Sequence, residues 1–130
     1  MINEQSILQA ATSEKNAGDF PKVVQGFKDL GVTKYQFLVQ KGVYVFWDET
    51  DIRVESKLNG VSMPVVEEIS SEKMKDAIKQ AQAGKIDFET FIKLAGLAGV
   101  RLWEADLTAM KVTYIDNTGN DLVIEPIPSV

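Results

Sequence analysis

Residues 19–50 read DFPKVVQGFKDLGVTKYQFLVQKGVYVFWDET, and residues 87–118 read DFETFIKLAGLAGVRLWEADLTAMKVTYIDNT. Laid over each other without a gap, at an offset of 68 (87 − 19), they match at four points. Asp19-Phe20 falls on Asp87-Phe88, Gly31-Val32 on Gly99-Val100, Asp48 on Asp116 and Thr50 on Thr118. Residue types agree in between: Val24 with Ile92, Tyr35 with Trp103, Val39 with Leu107, Phe46 with Tyr114. Flanking segments follow with small changes of offset. Asp51-Ile52-Arg53-Val54-Glu55 lies on Asp121-Leu122-Val123-Ile124-Glu125, and Leu8, Ala11 and Gly18 lie on Met74, Ala77 and Gly84. Self-similarity at a fixed period marks a repeated structural unit. The sequence predicts a single domain, 1–130, built of two units, 1–69 and 70–130.

Each unit parses by local signals. A first helix is expected over 4–16 and 71–83, where Ile7, Leu8 and Ala11, and Met74, Ala77, Ile78 and Ala81, recur at helical spacing. Ser70 is a suitable N-cap, and Gly18 and Gly84 stop these helices. A second helix begins after Asp19 or Asp87 and ends at Gly31 or Gly99. Three strands follow: 34–40, 43–48 and 52–57 in the first unit, 100–107, 111–116 and 122–127 in the second. Asn59-Gly60 is a hairpin signal leading into a further strand over 61–69, with Pro64 restricting it to a sheet edge. The expected fold class is α+β, with two tandem helix–helix–β-meander units, four helices and a mainly antiparallel sheet.

Composition narrows the chemistry. The 130 residues are 45% hydrophobic and 25% charged, with a formal charge of −5 from 14 basic and 19 acidic side chains. There is no cysteine and no histidine, which excludes disulfides, Ser-His-Asp or Cys-His catalysis and any zinc site needing nitrogen or sulfur ligands. No cofactor, metal site or catalytic residue is expected. The acidic balance and scattered lysines argue against nucleic acid, whose affinity comes mainly from Lys and Arg neutralising phosphates. No run approaches the ~18 apolar residues of a membrane span. The first residues show no basic and apolar leader, so a cytoplasmic address is expected.

Asp19-Phe20-Pro21, Leu30-Gly31-Val32-Thr33-Lys34-Tyr35 and Gly99-Val100-Arg101-Leu102-Trp103 with Asp106 lead in order to Thr113-Tyr114, Gly119-Asn120 and Glu125-Pro126-Ile127-Pro128. In that order and spacing the chain resembles a bacterial and phage-borne family of small proteins of unknown function, sometimes labelled "phage envelope protein". The resemblance implies no activity, cofactor or catalytic residue.

Candidate functional residues fall in two groups. Tyr35, Tyr44, Arg101, Trp103 and Tyr114 carry polar handles on aromatic or basic side chains and could line a ligand cleft between the units, although large aromatics at strand positions more often fill a core. The second group comes from alternation. With Tyr44 and Phe46 facing inward, Val43, Val45 and Trp47 share the outer face with Leu38 from the neighbouring strand. An outer antiparallel face is ordinarily polar, so this patch is expected to be covered within the chain, by a second copy in a homodimer, or by another protein. The repeated Asp48 and Asp116 read as turn formers, and Glu104 and Asp106 as a solvated face. The favoured function is a non-catalytic binding or protein-interaction module; the alternative is a small-ligand binder or enzyme using the cleft.

Overall fold

The structure, a computed structural model, describes Gln5 and residues 20–51, 53–57 and 60–127. Local chemistry sets the helix starts. Ser70 is extended and its hydroxyl accepts a hydrogen bond from the Lys73 N–H (3.2 Å); the Asp87 carboxylate accepts one from the Thr90 N–H (2.8 Å). Each satisfies a backbone donor that a helix start leaves unpaired. The helices are α1 (Phe20–Asp29), α2 (Ser71–Gln82) and α3 (Phe88–Leu97). Gly31 and Gly99 follow α1 and α3 with φ of 97° and 80°, a left-handed bend that a Cβ would strain. The chain enters a strand directly after each.

The strands are β1 (Val32–Leu38), β2 (Val43–Asp48), β3 (Arg53–Ser56), β4 (Val100–Asp106), β5 (Lys111–Asp116) and β6 (Asp121–Pro126). They form one antiparallel sheet in the order β3-β2-β1-β4-β5-β6. This corrects the expected architecture. Among the described residues there are three helices and one continuous six-stranded sheet, not four helices in two helix–helix–meander units. The helix expected over 4–16 lies, apart from Gln5, outside the described residues. The meanders merge because β1 pairs directly with β4. A first strand left at a meander's edge would expose a row of open N–H and C=O groups, and this pairing closes both edges at once.

Alternation along the strands builds the core. Tyr35, Phe37, Tyr44, Phe46, Trp103, Ala105, Val112, Tyr114 and Val123 all point to one face of the sheet. There they pack with Val23, Val24 and Phe27 of α1, Met74, Ala77 and Ile78 of α2, and Phe91, Ile92 and Ala95 of α3. Phe37, fully buried, stacks on Trp103 across the β1–β4 junction with ring centroids 4.7 Å apart, and meets Tyr44 edge-on at 4.9 Å. The halves share one core.

A second correction concerns residues 61–69. Expected as a strand, they lie outside the sheet, with a bend at residues 67–68. The Met63, Val66 and Ser70 N–H groups donate to the carbonyls of Val39, Gly96 and Ala98, each at 3.0 Å. Pro64 removes a donor that a ladder would need. The segment is a strap across the C-terminal end of α3. Gly96 and Gly99 make room for it: a Cβ on Gly96 would run into the Pro64 carbonyl oxygen, and one on Gly99 into that of Glu68.

Candidate functional site

The repeated aspartates are turn locks. Asp48 and Asp116 are both buried at the exits of β2 and β5. Asp48 accepts hydrogen bonds from the Thr50 N–H (2.9 Å) and hydroxyl (2.6 Å). Asp116 accepts the same pair from Thr118 (2.9 and 2.6 Å) and a further one from the Asn120 N–H (3.1 Å). Turn chemistry thus accounts for them. The Thr118 hydroxyl, helped by the loop's N–H groups and opposed by burial, holds the Asp116 carboxyl below the usual carboxylate range.

A carboxyl whose pKa is depressed on folding contributes stability that is complete above its unfolded value, about 3.9, and is lost as pH falls through the lower folded value. Asp87, held low by Thr90, adds in the same sense. The urea midpoint is expected to stay level from neutral pH to about pH 5 and to drop below about pH 4. Asp116→Asn should lower the midpoint at neutral pH and flatten part of that drop. An Asp116→Asn protein with the wild-type acid profile would contradict this account.

Glu104 and Asp106 are likewise engaged. Glu104 accepts from the Gln36 side-chain amide (3.0 Å) and lies 4.0 Å from the Lys34 ammonium. Asp106 accepts from the Thr108 and Ala109 N–H groups (3.0 and 2.9 Å) in the β4–β5 turn. Among the described residues, no group of three or more carboxylates is arranged to hold a metal ion.

Of the five ligand candidates, Tyr35, Tyr44, Trp103 and Tyr114 lie in the core layer under the helices. Tyr35 and Tyr44 belong to the aromatic chain that runs through Phe37 to Trp103, and Trp103 in turn lies 5.8 Å from Tyr114. Burial, with the Glu125 carboxylate nearby, pushes the Tyr114 phenol well above its ordinary range. Arg101 is apart from them. A register shift between Val100 and Leu102 breaks the alternation, so Val100 and Trp103 are both buried while Arg101 is exposed with its guanidinium against the Gly119 loop.

The four patch residues lie on the opposite face, which none of the helices α1–α3 covers, and the register sorts that face into rows. One row runs Val43–Leu38–Leu102–Ile115 across β2, β1, β4 and β5, and is wholly apolar. The middle row runs Glu55–Val45–Gln36–Glu104–Thr113–Ile124. The third runs Arg53–Trp47–Lys34–Asp106–Lys111. The members of the apolar row and Trp47 are half-buried, and none belongs to the helix-covered core. The Lys34 ammonium sits 4.8 Å above the Trp47 ring, a favourable cation–π arrangement. Val45 is only 2% exposed, so it has little surface left to give a partner. Leu102 and Ile115 complete the patch. Sequence reading missed them because only the long-range β1–β4 pairing sets them beside Leu38 and Val43.

A separate groove of about 390 Å³ lies between the strap and the helices, lined by Val66, Glu68, Lys73, Asp76, Leu94 and Leu97. Its lining combines three apolar side chains with charges of both signs. The strap beside it is fixed by the Asn117 side-chain amide, which donates to the Val66 and Glu67 carbonyls (2.7 and 3.1 Å). No helix of the described residues is long and apolar enough to cross a membrane.

No curated protein matches the chain. The family described as "Protein of unknown function (DUF1398)" matches residues 8–126, nearly the whole length. Both halves of the sheet and the helices α1, α2 and α3 fall inside that match. The chain therefore belongs to the DUF1398 family of proteins of unknown function.

Proposed function

We propose that this protein is a non-catalytic protein-interaction module whose docking surface is the face of the sheet opposite α1, α2 and α3. One observation carries the reading. Counted from Gly31 and Gly99, Leu102 stands where Lys34 stands, Ile115 where Trp47 stands, Lys111 where Val43 stands, and Asp106 where Leu38 stands. The apolar row and the charged row therefore occupy matching places in the two halves, so nothing in the strand geometry demands that they differ. The sheet needs only a wet face here. A cross-strand row of four apolar side chains at one end and of charges at the other is a surface built to be covered. The same matching, with Asp48–Thr50 and Asp116–Thr118 as equal turns, supports reading 20–56 and 88–126 as copies of one helix–meander unit within a single domain. The reading is cytoplasmic and needs neither a cofactor nor the phage association that the resemblance carries.

Trp47 is the sensitive position. Its ring is half-buried, so Trp47→Ala should cost less than the ~3–5 kcal/mol of a fully buried aromatic truncation. Large aromatics dominate interfaces once desolvated, so the same change should shift any self-associated protein to monomer with the fold kept. Circular dichroism and light scattering on the purified variant check both. Assembly unaffected by Trp47→Ala and by Leu102→Glu would contradict the reading.

A further inference from the structure

The three rows also determine how two copies can meet. We infer that the face opposite α1, α2 and α3 docks on the same face of a second copy, about a two-fold axis that lies between the sheets, parallel to the strands and over the β1–β4 junction. The inference rests on the docking reading above and deepens it by naming the partner and the pairing.

A face-to-face pair centred on that junction has two simple in-plane two-fold axes. An axis parallel to the strands keeps each row opposite itself and exchanges left for right. Leu38 then meets Leu102 of the second copy, and Val43 meets Ile115. In the charged row Lys34 meets Asp106, and Trp47 meets Lys111. In the middle row the Gln36 amide meets the Glu104 carboxylate. In the apolar row apolar falls on apolar, and in the charged row Lys34 falls on Asp106, each twice over by symmetry. An axis perpendicular to the strands instead sets the apolar row on the charged row. Leu38 would cover Lys34, Ile115 would cover Lys111, and Glu104 would face its own copy. Desolvating an ammonium against leucine and opposing like carboxylates are both unfavourable. The first arrangement wins on the apolar and charged rows; in the middle row it pairs Gln36 with Glu104 at the centre but sets Val45 on Thr113 and, at the sheet edges, Glu55 on Ile124.

Size sets the strength. Six strands at about 4.8 Å spacing, with three outward rows per strand, make a face of about 400 Å² in projection. Stable interfaces bury about 800 Å² per partner. The dimer is accordingly weak and concentration-dependent. Facing sheets also cross at about 30°, so the match is tightest over β1 and β4.

The chain has no cysteine, which makes introduced thiols unique. Val43 and Ile115 lie three strand spacings apart within one chain, about 14 Å, but oppose each other across the pair, where sheets sit about 10 Å apart. Val43→Cys/Ile115→Cys treated at high concentration with a short bis-maleimide is expected to give a covalent dimer. Val43→Cys alone and Ile115→Cys alone are expected to stay uncrosslinked, because each residue lies far from its own copy. A crosslink through Val43→Cys alone would overturn the axis while leaving the docking face standing. Dimer mass in solution without any crosslink would overturn the arrangement altogether. A monomer at every concentration would overturn the docking reading beneath it.

Discussion

Phe37→Ala is expected to cost about 3–5 kcal/mol, the range for truncating a fully buried aromatic. Phe37 is fully buried in β1, at the middle of the six-stranded sheet, and stacks on Trp103 of the second half. It also touches Tyr44 and Phe88, so its ring joins α3, β1, β2 and β4 at one point. Total stabilities of domains this size run about 5–15 kcal/mol. The loss is therefore a large share, and the variant should unfold in urea at a much lower midpoint. Because the two halves share this layer, unfolding should stay a single cooperative transition by fluorescence and circular dichroism alike. Two separated transitions, one per half, would show that β1–β4 pairing does not couple them.

Gly96→Ala comes next in size. The added methyl would collide with the backbone carbonyl of Pro64, and a backbone atom cannot swing aside as a side-chain end can. Overpacking a tight site costs about 1–3 kcal/mol, and here the strap must lift. The Val66 N–H bond to the Gly96 carbonyl goes with it, and so does the grip of Asn117 on Val66 and Glu67. Hydrogen exchange should show the Met63, Val66 and Ser70 amides losing protection while amides of β1 and β4 keep theirs. Unchanged protection at Val66 would mean that the strap tolerates the methyl.

Much of this was legible in the chain, and the failures have physical causes. Ser70 and Asp87 cap their helices, and the observed strands begin and end within two residues of the expected bounds. These features depend on neighbours in sequence. The β1–β4 pairing does not: Leu38 and Leu102 carry no local sign that they adjoin. Without that register the apolar patch stops at β1 and its second half stays hidden. Arg101 joins the cleft candidates for its polar side chain alone, and the register shift after Val100 leaves it exposed while Trp103 is buried. Residues 61–69 read as a strand because Asn59-Gly60 is a hairpin signal before an apolar stretch, whereas the segment is held by backbone bonds to Val39, Gly96 and Ala98 instead of a ladder. Only the glycines at 96 and 99 hint that another segment of backbone passes close by.

Sedimentation equilibrium of the wild-type chain, run beside Leu102→Glu over a wide concentration range, tests the central claim most directly. The docking face predicts that the wild-type mass climbs from 14.4 kDa toward twice that value, while Leu102→Glu, folded by circular dichroism, stays at the lower mass. A wild-type protein that remains at 14.4 kDa throughout, indistinguishable from Leu102→Glu, would contradict it.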